Sequence, residues 1–317
     1  MSRTPVTVVG GYLGAGKTTL VNHLLRNANG LRLAVLVNDF GALPIDADLI
    51  EAQSGNLISI AGGCICCSFG SDLMGALMEL AKRDPAPDHV LLETSGVAMP
   101  GVVARSAALL PAFSIDSVVV LADAETVRAR AADRYMGDTI TRQLNEADLV
   151  ILNKSDLVST GALREVQQWM GHAAPRAALV EAARGEVPPA LVFGRGHAPS
   201  ATGTLSKGTI RPPEEAATRY ESASFSPEAP VDVESLARAL ALPACGLLRA
   251  KGVLRNLDDA LKTLHLVGRR YEVTPYGRPG ATSTGIACIG LRGQLNTAAI
   301  EEALAQSAIS PGAPRAS

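Results

Sequence analysis

The chain has 317 residues, 47% hydrophobic and only 3% aromatic, with 29 Lys+Arg against 31 Asp+Glu and a formal net charge of -2. This leaves room for roughly two domains with buried cores and excludes wholesale disorder. A balanced charge with few aromatics excludes the basic, base-stacking surface of a general nucleic-acid binder, and no apolar run approaches the ~18 residues of a membrane span.

From the N-terminus, Met1-Ser2-Arg3 runs into Val6–Val9 without the apolar core of a signal peptide, so a cytoplasmic location is expected. Val6–Val9, Leu33–Val37, His89–Leu92, Ser117–Leu121 and Asp148–Leu152 are short, Val/Leu-rich and bounded by Gly, Asp or Asn, the pattern of buried strands. Between them, Lys17–Asn27 and Asp72–Arg83 have helical periodicity. Leu73, Leu77 and Leu80 fall on one face, with Ser71 as a candidate N-cap. This alternation predicts an α/β fold with a mainly parallel sheet covered by helices on both faces. Residues 194–217 carry Gly, Pro, Ser and Thr without periodicity. The expected organisation is a first domain over 1–195, a linker over 196–218, a smaller α+β domain over 219–310 and a frayed tail over 311–317. In the second domain, strands are expected at Gly246–Ala250, His265–Val273 and Ile286–Leu291, and helices at Val233–Leu240 and Thr297–Ala305.

Gly11-Tyr12-Leu13-Gly14-Ala15-Gly16-Lys17-Thr18 fits the P-loop pattern G-x-x-x-x-G-K-[ST], between an apolar strand and a helix. Glycines let the backbone wrap phosphates with its N–H groups pointing inward, Lys17 reaches the β- and γ-phosphates, and the Thr18 hydroxyl suits Mg²⁺. The first domain is therefore expected to be a P-loop NTPase. His89-Val90-Leu91-Leu92-Glu93-Thr94-Ser95-Gly96 is an apolar strand ending in an acid and then a glycine. Glu93 suits Mg²⁺ or its water, and the Gly96 N–H suits the γ-phosphate. Asn153-Lys154-Ser155-Asp156 matches N-K-x-D. The Asp156 carboxylate accepts two hydrogen bonds from the guanine N1–H and N2–H₂ edge, which adenine cannot supply, so GTP and GDP are preferred over adenine nucleotides. Asn153 supports the loop, and the Lys154 stem covers the ring.

Three of the five cysteines, Cys64, Cys66 and Cys67, lie within four residues. Three thiolates plus one further ligand make a tetrahedral site for Zn²⁺, or for Co²⁺ in the same geometry. A redox dithiol or simple packing of small apolar residues are the alternatives. Cys245 and Cys288 stand alone and are expected in the core. His23, in the helix after the P-loop, is expected to be a packed or surface residue rather than a metal ligand, and His172, His197 and His265 lack partners at ligand spacing. Gln143 is expected on a helix surface. Arg249 and Lys251 are expected either to contact a partner or to sit at the solvated ends of a strand.

Taken in order, GGYLGAGKTTL, VNDFG, GCICCS, ETSG, NKSD and the late Arg249-Ala250-Lys251-Gly252 resemble the CobW-type family of metal-associated P-loop GTPases over nearly the whole chain. The resemblance implies slow GTP hydrolysis, Mg²⁺, metal binding at Cys64, Cys66 and Cys67, and delivery of the metal to a client metalloprotein. It implies phosphate or Mg²⁺ contacts for Gly11, Gly14, Ala15, Gly16, Lys17, Thr18 and Thr19. Glu93 becomes the acid near Mg²⁺, and Asn153 and Asp156 read the base. Relatives often carry E-N-E-F-G where this chain has Val37-Asn38-Asp39-Phe40-Gly41, so the first acid is missing and Asp39 remains as a switch-loop or metal-site residue. A P-loop small-molecule kinase and a thiol redox switch are the competing functions.

Overall fold

The computed structural model describes residues 3–28, 30–37, 57–61, 71–193, 219–276 and 284–308. The chain forms two compact units that divide after Phe193.

The first unit contains β1 (Thr4–Gly11), α1 (Lys17–Arg26), β2 (Leu33–Val37), β3 (Leu57–Ala61), α2 (Ser71–Ala81), β4 (His89–Glu93), α3 (Pro100–Ala108), β5 (Phe113–Asp123), α4 (Val127–Ala131), α5 (Gly137–Asn145), β6 (Leu149–Asn153), α6 (Thr160–Ala173), β7 (Ala178–Glu181) and α7 (Pro189–Phe193). Its seven strands lie in the order β3-β2-β4-β1-β5-β6-β7, and every pair is parallel. Strands β2, β4 and β6 are buried at every residue. Helices therefore cover both faces, which is why these strands are continuous apolar runs rather than alternating ones. Leu20 and Leu24 of α1 are fully buried, each contributing on the order of 1.5–3 kcal/mol through removal from water. Leu73, Leu77 and Leu80 are buried on one face of α2 as expected. Strands β3 and β7, which sequence periodicity missed, are the two short edge strands.

The chain runs from β1 outward through β2 and β3, returns through β4 beside β1, and then crosses to β5 on the other side of β1. This reversal puts a crevice at the carboxyl ends of the central strands, where open α/β sheets bind ligands.

The second unit is antiparallel: β8 (Tyr220–Phe225), α8 (Val233–Leu240), β9 (Leu247–Arg255), β10 (Leu261–Val267), β11 (Arg270–Pro275), β12 (Gly285–Leu291) and α9 (Thr297–Ser307), with strand order β11-β10-β9-β12-β8. Leu236 and Leu240 of α8 and Ile300 of α9 share a core with Ala250, Leu254, Leu264 and Ile286 of the sheet. Two expectations are corrected. The single strand expected over His265–Val273 is a hairpin, because the chain turns at Gly268 with φ 58° and β10 pairs back onto β11. Arg249 is not a solvated strand end; it lies within β9 at 2% exposure. Lys251, in the same strand, is half-buried.

Candidate nucleotide and metal site

The last residues of four adjacent strands converge on the crevice: Gly11 of β1, Glu93 of β4, Asp123 of β5 and Asn153 of β6. Gly11, Gly14 and Gly16 all have φ in the left-handed region, at 128°, 76° and 101°. At Gly16 a Cβ would stand 2.3 Å from Asn153 Nδ2. Only glycine lets the loop approach the N-K-x-D segment this closely. Ala15 is buried against this arrangement, and its carbonyl accepts a hydrogen bond of 2.8 Å from Asn153 Nδ2.

Lys17 opens α1 and folds back over the loop, its Nζ donating to the carbonyls of Gly11 (3.0 Å) and Tyr12 (3.4 Å). The ammonium is thus held at the cradle by the loop's own carbonyls. Thr18 Oγ1 donates to Glu93 Oε1 at 2.8 Å. A hydroxyl and a carboxylate side by side at the cradle are hard oxygen donors that fit Mg²⁺. Thr19 is exposed in the first turn of α1.

Asn153 also accepts from the Gly185 N–H at 2.8 Å, and Ser155 bonds twice to the Ala182 carbonyl. The loop after β7 therefore braces the N-K-x-D segment, a contribution hidden from sequence because β7 itself is not legible there. Lys154 adopts φ 60°, a conformation that costs a non-glycine residue roughly 1–2 kcal/mol. Its Nζ pairs with Asp123 Oδ2 at 2.7 Å. Asp123 was not singled out, yet it carries the same signal as Glu93, an acid ending an apolar strand. Asp156 is exposed in the 3-10 turn Ser155–Leu157.

The turn after β4 is gripped from both sides. A Cβ on Gly96 would stand 2.6 Å from the Leu13 side chain and 2.7 Å from the Leu13 nitrogen, so this glycine is what lets the turn lie against the P-loop. On the other side Gln143 Nε2 donates to the carbonyls of Gly96 (3.1 Å) and Ala98 (2.8 Å). Gln143, expected on a helix surface, is 1% exposed; α5 turns it inward to satisfy two turn carbonyls. Arg130, also missed, donates to the Leu13 carbonyl at 3.2 Å and lies 5.2 Å from the Tyr12 ring centroid.

His23 is a packed residue bonded to the Val187 carbonyl at 2.9 Å. Cys245 and Cys288 are buried. His172 bonds to the Gln168 carbonyl on exposed α6, and His265 is half-buried in β10. Asp39, Cys64, Cys66, Cys67 and His197, like the 196–218 linker and 311–317 tail, lie outside the described residues.

A glycine-rich cradle with its lysine, a Thr–Glu oxygen pair and an N-K-x-D loop define a P-loop nucleotide-binding protein of the guanine-reading class. The profile of the CobW/HypB/UreG nucleotide-binding domain matches residues 5–181, and that of the cobalamin synthesis protein CobW C-terminal domain matches 220–308. Among curated relatives, a zinc chaperone CobW from Sinorhizobium sp is 31% identical over 81% of this chain and 79% of its own length. A second zinc chaperone CobW, from Pseudomonas aeruginosa, is 35% identical over 61% of this chain and 60% of its own length. A zinc-regulated GTPase metalloprotein activator 1 from Dictyostelium discoideum is 26% identical over 87% and 68%. The chain belongs to the CobW family of P-loop GTPases.

Proposed function

We propose that this GTPase is a metallochaperone that binds zinc through Cys64, Cys66 and Cys67 and hands it to a client metalloprotein as GTP is exchanged for GDP. Two relatives bear the name zinc chaperone and another the name zinc-regulated metalloprotein activator. Co²⁺ fits the same donor set, since three thiolates suit any tetrahedral thiophilic ion.

The observation that carries the reading is strand register. Val37 of β2 pairs with both Glu93 of β4 and Ala61 of β3. Three neighbouring strands thus end level with one another, about 5 Å apart. The chain leaving them is Asn38-Asp39, Gly62-Gly63-Cys64 and Thr94-Ser95-Gly96. The cysteine segment therefore begins at the same sheet edge as the acid bonded to Thr18, two strands away. Contacts that the γ-phosphate makes at this shared edge are the means of coupling, with Asp39 following the strand between them in sequence.

In this reading Gly11, Gly14, Ala15, Gly16, Lys17, Thr18 and Thr19 hold the phosphates. Thr18 and Glu93 hold Mg²⁺, which when bound neutralises charge on the β- and γ-phosphate oxygens. Lys17 supplies positive charge to the same oxygens. Gly96 offers its N–H to the γ-phosphate, Asp156 takes the guanine edge, Asn153 braces the loop, and the Lys154 stem lies on the ring. The 219–310 domain, joined through the 196–218 linker, is the part assigned to the client.

The test is Zn²⁺ affinity by chelator competition, with Mg²⁺ and a non-hydrolysable GTP analogue and then with GDP. Coupling of ~1–3 kcal/mol gives a ~5–150-fold difference between the two states. Equal affinity refutes the coupling and leaves an independent zinc site. No binding refutes the metal site and returns the three cysteines to a redox dithiol.

A further inference from the structure

The middle of the P-loop is its least supported part. Gly11 and Gly16 are pressed against their surroundings: a Cβ would stand 2.3 Å from the Leu121 carbonyl oxygen at Gly11 and 2.3 Å from Asn153 Nδ2 at Gly16. At Gly14 a Cβ would meet nothing within 4 Å. Leu13, just before it, is 56% exposed, and a cavity lined by Tyr12, Leu13, Ala15, Thr126, Val127 and Arg130 lies against the same stretch. Gly96 packs against the Leu13 nitrogen and side chain, but packing does not hold the peptide that joins Leu13 to Gly14.

Arg130 holds it instead. Lys17 serves the carbonyls of Gly11 and Tyr12, and the next carbonyl, that of Leu13, accepts from Arg130 Nη1 at 3.2 Å. The guanidinium stands 5.2 Å from the Tyr12 ring centroid, a cation–π contact that limits where the arginine can go. Among the described residues the cis peptide bond is Asp84-Pro85, so the Leu13–Gly14 peptide is trans and its C=O and N–H point in opposite directions. A Leu13 carbonyl tied to Arg130 therefore fixes the direction of the Gly14 N–H, which is away from the guanidinium. That N–H matters because P-loops bind phosphate through backbone N–H groups. The following one, of Ala15, is already spent on the Tyr12 carbonyl at 3.2 Å.

We propose that Arg130 is a positioning residue for the phosphate cradle: it holds the Leu13–Gly14 peptide in the orientation in which the Gly14 N–H serves the nucleotide's phosphates. This rests on the proposed nucleotide site and deepens it, assigning a part to a side chain outside the P-loop, the Glu93 turn and N-K-x-D. Arg128, two residues earlier in α4, bonds to Glu165 of α6 at 3.0 Å instead.

The experiment uses the full chain with Mg²⁺ and measures affinity for GDP, for a non-hydrolysable GTP analogue and for IDP, which lacks the guanine amino group. Thermal unfolding is followed without nucleotide. Arg130→Met keeps a long stem beside Tyr12 and removes the donor. It is expected to weaken all three nucleotides by about fivefold, the factor that one hydrogen bond is worth, because a smaller fraction of the protein then holds the binding-competent loop. The GDP-to-IDP ratio is expected to stay at its wild-type value, since the base end keeps its contacts. The Tm is expected to hold, since the bond lies at the surface. The bond is single rather than bidentate, so Arg130→Lys is expected to recover affinities to within about twofold of wild type. Arg128→Met is the control and keeps wild-type affinities. Wild-type affinities in Arg130→Met overturn the assignment, as do a lysine variant no better than methionine or an equal loss in Arg128→Met. A loss that comes with a changed GDP-to-IDP ratio or a lowered Tm also overturns it, because it marks general loosening of the unit. Wild-type protein that binds none of the nucleotides refutes the underlying site and this inference together, whereas normal wild-type binding with any of the other results refutes Arg130 alone.

Discussion

The two units handle buried polarity in opposite ways. In the parallel-sheet unit, Lys17, Glu93, Thr94, Ser95, Gln143, Asn153 and Ser155 are all buried near the carboxyl ends of the strands. Among the described residues, the antiparallel unit buries Arg249, Asn256 and Ser307. The cause is topological. Parallel strands require crossovers, so every strand delivers its carboxyl end to the same edge, and Gly11, Glu93, Asp123 and Asn153 become neighbours across β1, β4, β5 and β6. In an antiparallel sheet neighbouring strands end at opposite edges, and no edge collects chemistry. The first unit also buries Thr7, His89, Asp116, Ser117 and Asp148 away from those carboxyl ends, so what sets the carboxyl edge apart is that residues of four strands meet the P-loop there.

The largest expected effect tests the inert side of this contrast. Burial, with Cys245 nearby, pushes the Cys288 thiol up to about 12, and burial also raises Cys245. Since the thiolate is the reactive form, alkylation of Cys288 in the folded protein at pH 8 should run on the order of 10³-fold slower than that of a free thiol with pKa about 8.5. Peptide mapping after timed labelling measures this, and labelling of Cys288 at a free-thiol rate would show that the second unit's core opens readily. Next comes the guanine edge. Asp156→Asn replaces two acceptors with one acceptor and one donor, which suits xanthine, whose C2 bears a carbonyl in place of the amino group. GTP affinity should fall roughly 10–100-fold and XTP affinity should rise, with no loss of fold because Asp156 is exposed. Competition against a fluorescent guanine nucleotide reads both. Gln143→Leu is smaller in binding and larger in stability. It strands the Gly96 and Ala98 carbonyls, at a cost of about 2 kcal/mol to the first unit in urea unfolding. Unchanged stability would mean that water replaces the amide and that α5 does not brace the turn.

Sequence patterns were informative where one principle acted alone. Continuous apolar runs marked β1, β2, β4, β5 and β6 because both sheet faces are covered, and the P-loop and N-K-x-D spacings marked residues that meet at Gly16 and Asn153. They were silent where the outcome depended on tertiary partners. Gln143 has the composition of a surface helix residue; only the fold brings it to the Gly96 turn. Arg249 carries a full charge, yet β9 places it inside the second unit. Strand β8 is illegible in the sequence because Ala223 and Phe225 give its inward face only two apolar residues among Glu221, Ser222 and Ser224, and its pairing with β12 supplies what local propensity does not. Gly268 went unrecognised as a turn because the residues on both sides of it favour strands.

The smallest prediction asks whether the antiparallel unit depends on local caps in the way the parallel unit depends on its shared edge. Asp232 caps α8, accepting from the N–H groups of Glu234 (3.1 Å) and Ser235 (3.2 Å) and from the Ser235 hydroxyl at 2.7 Å. The Ser235 hydroxyl, followed by the two backbone N–H groups, holds the Asp232 carboxyl below its usual value. A carboxylate whose pKa is lowered by folding contributes stability that is complete above its unfolded pKa near 4 and is lost as the pH falls through the folded pKa. Asp232→Ala should therefore cost about 1 kcal/mol at pH 7, the usual worth of an N-cap, and the gap to wild type should narrow below pH 4. Asp232→Asn keeps an acceptor for the same N–H groups without titrating. It should lose less than the alanine variant at pH 7, and its stability relative to alanine should not change with pH across that window. A gap between wild type and alanine that persists unchanged at pH 3 would mean that the carboxyl caps α8 equally well when protonated, and that packing of α8 on the sheet, rather than charge at its first turn, fixes where this helix begins.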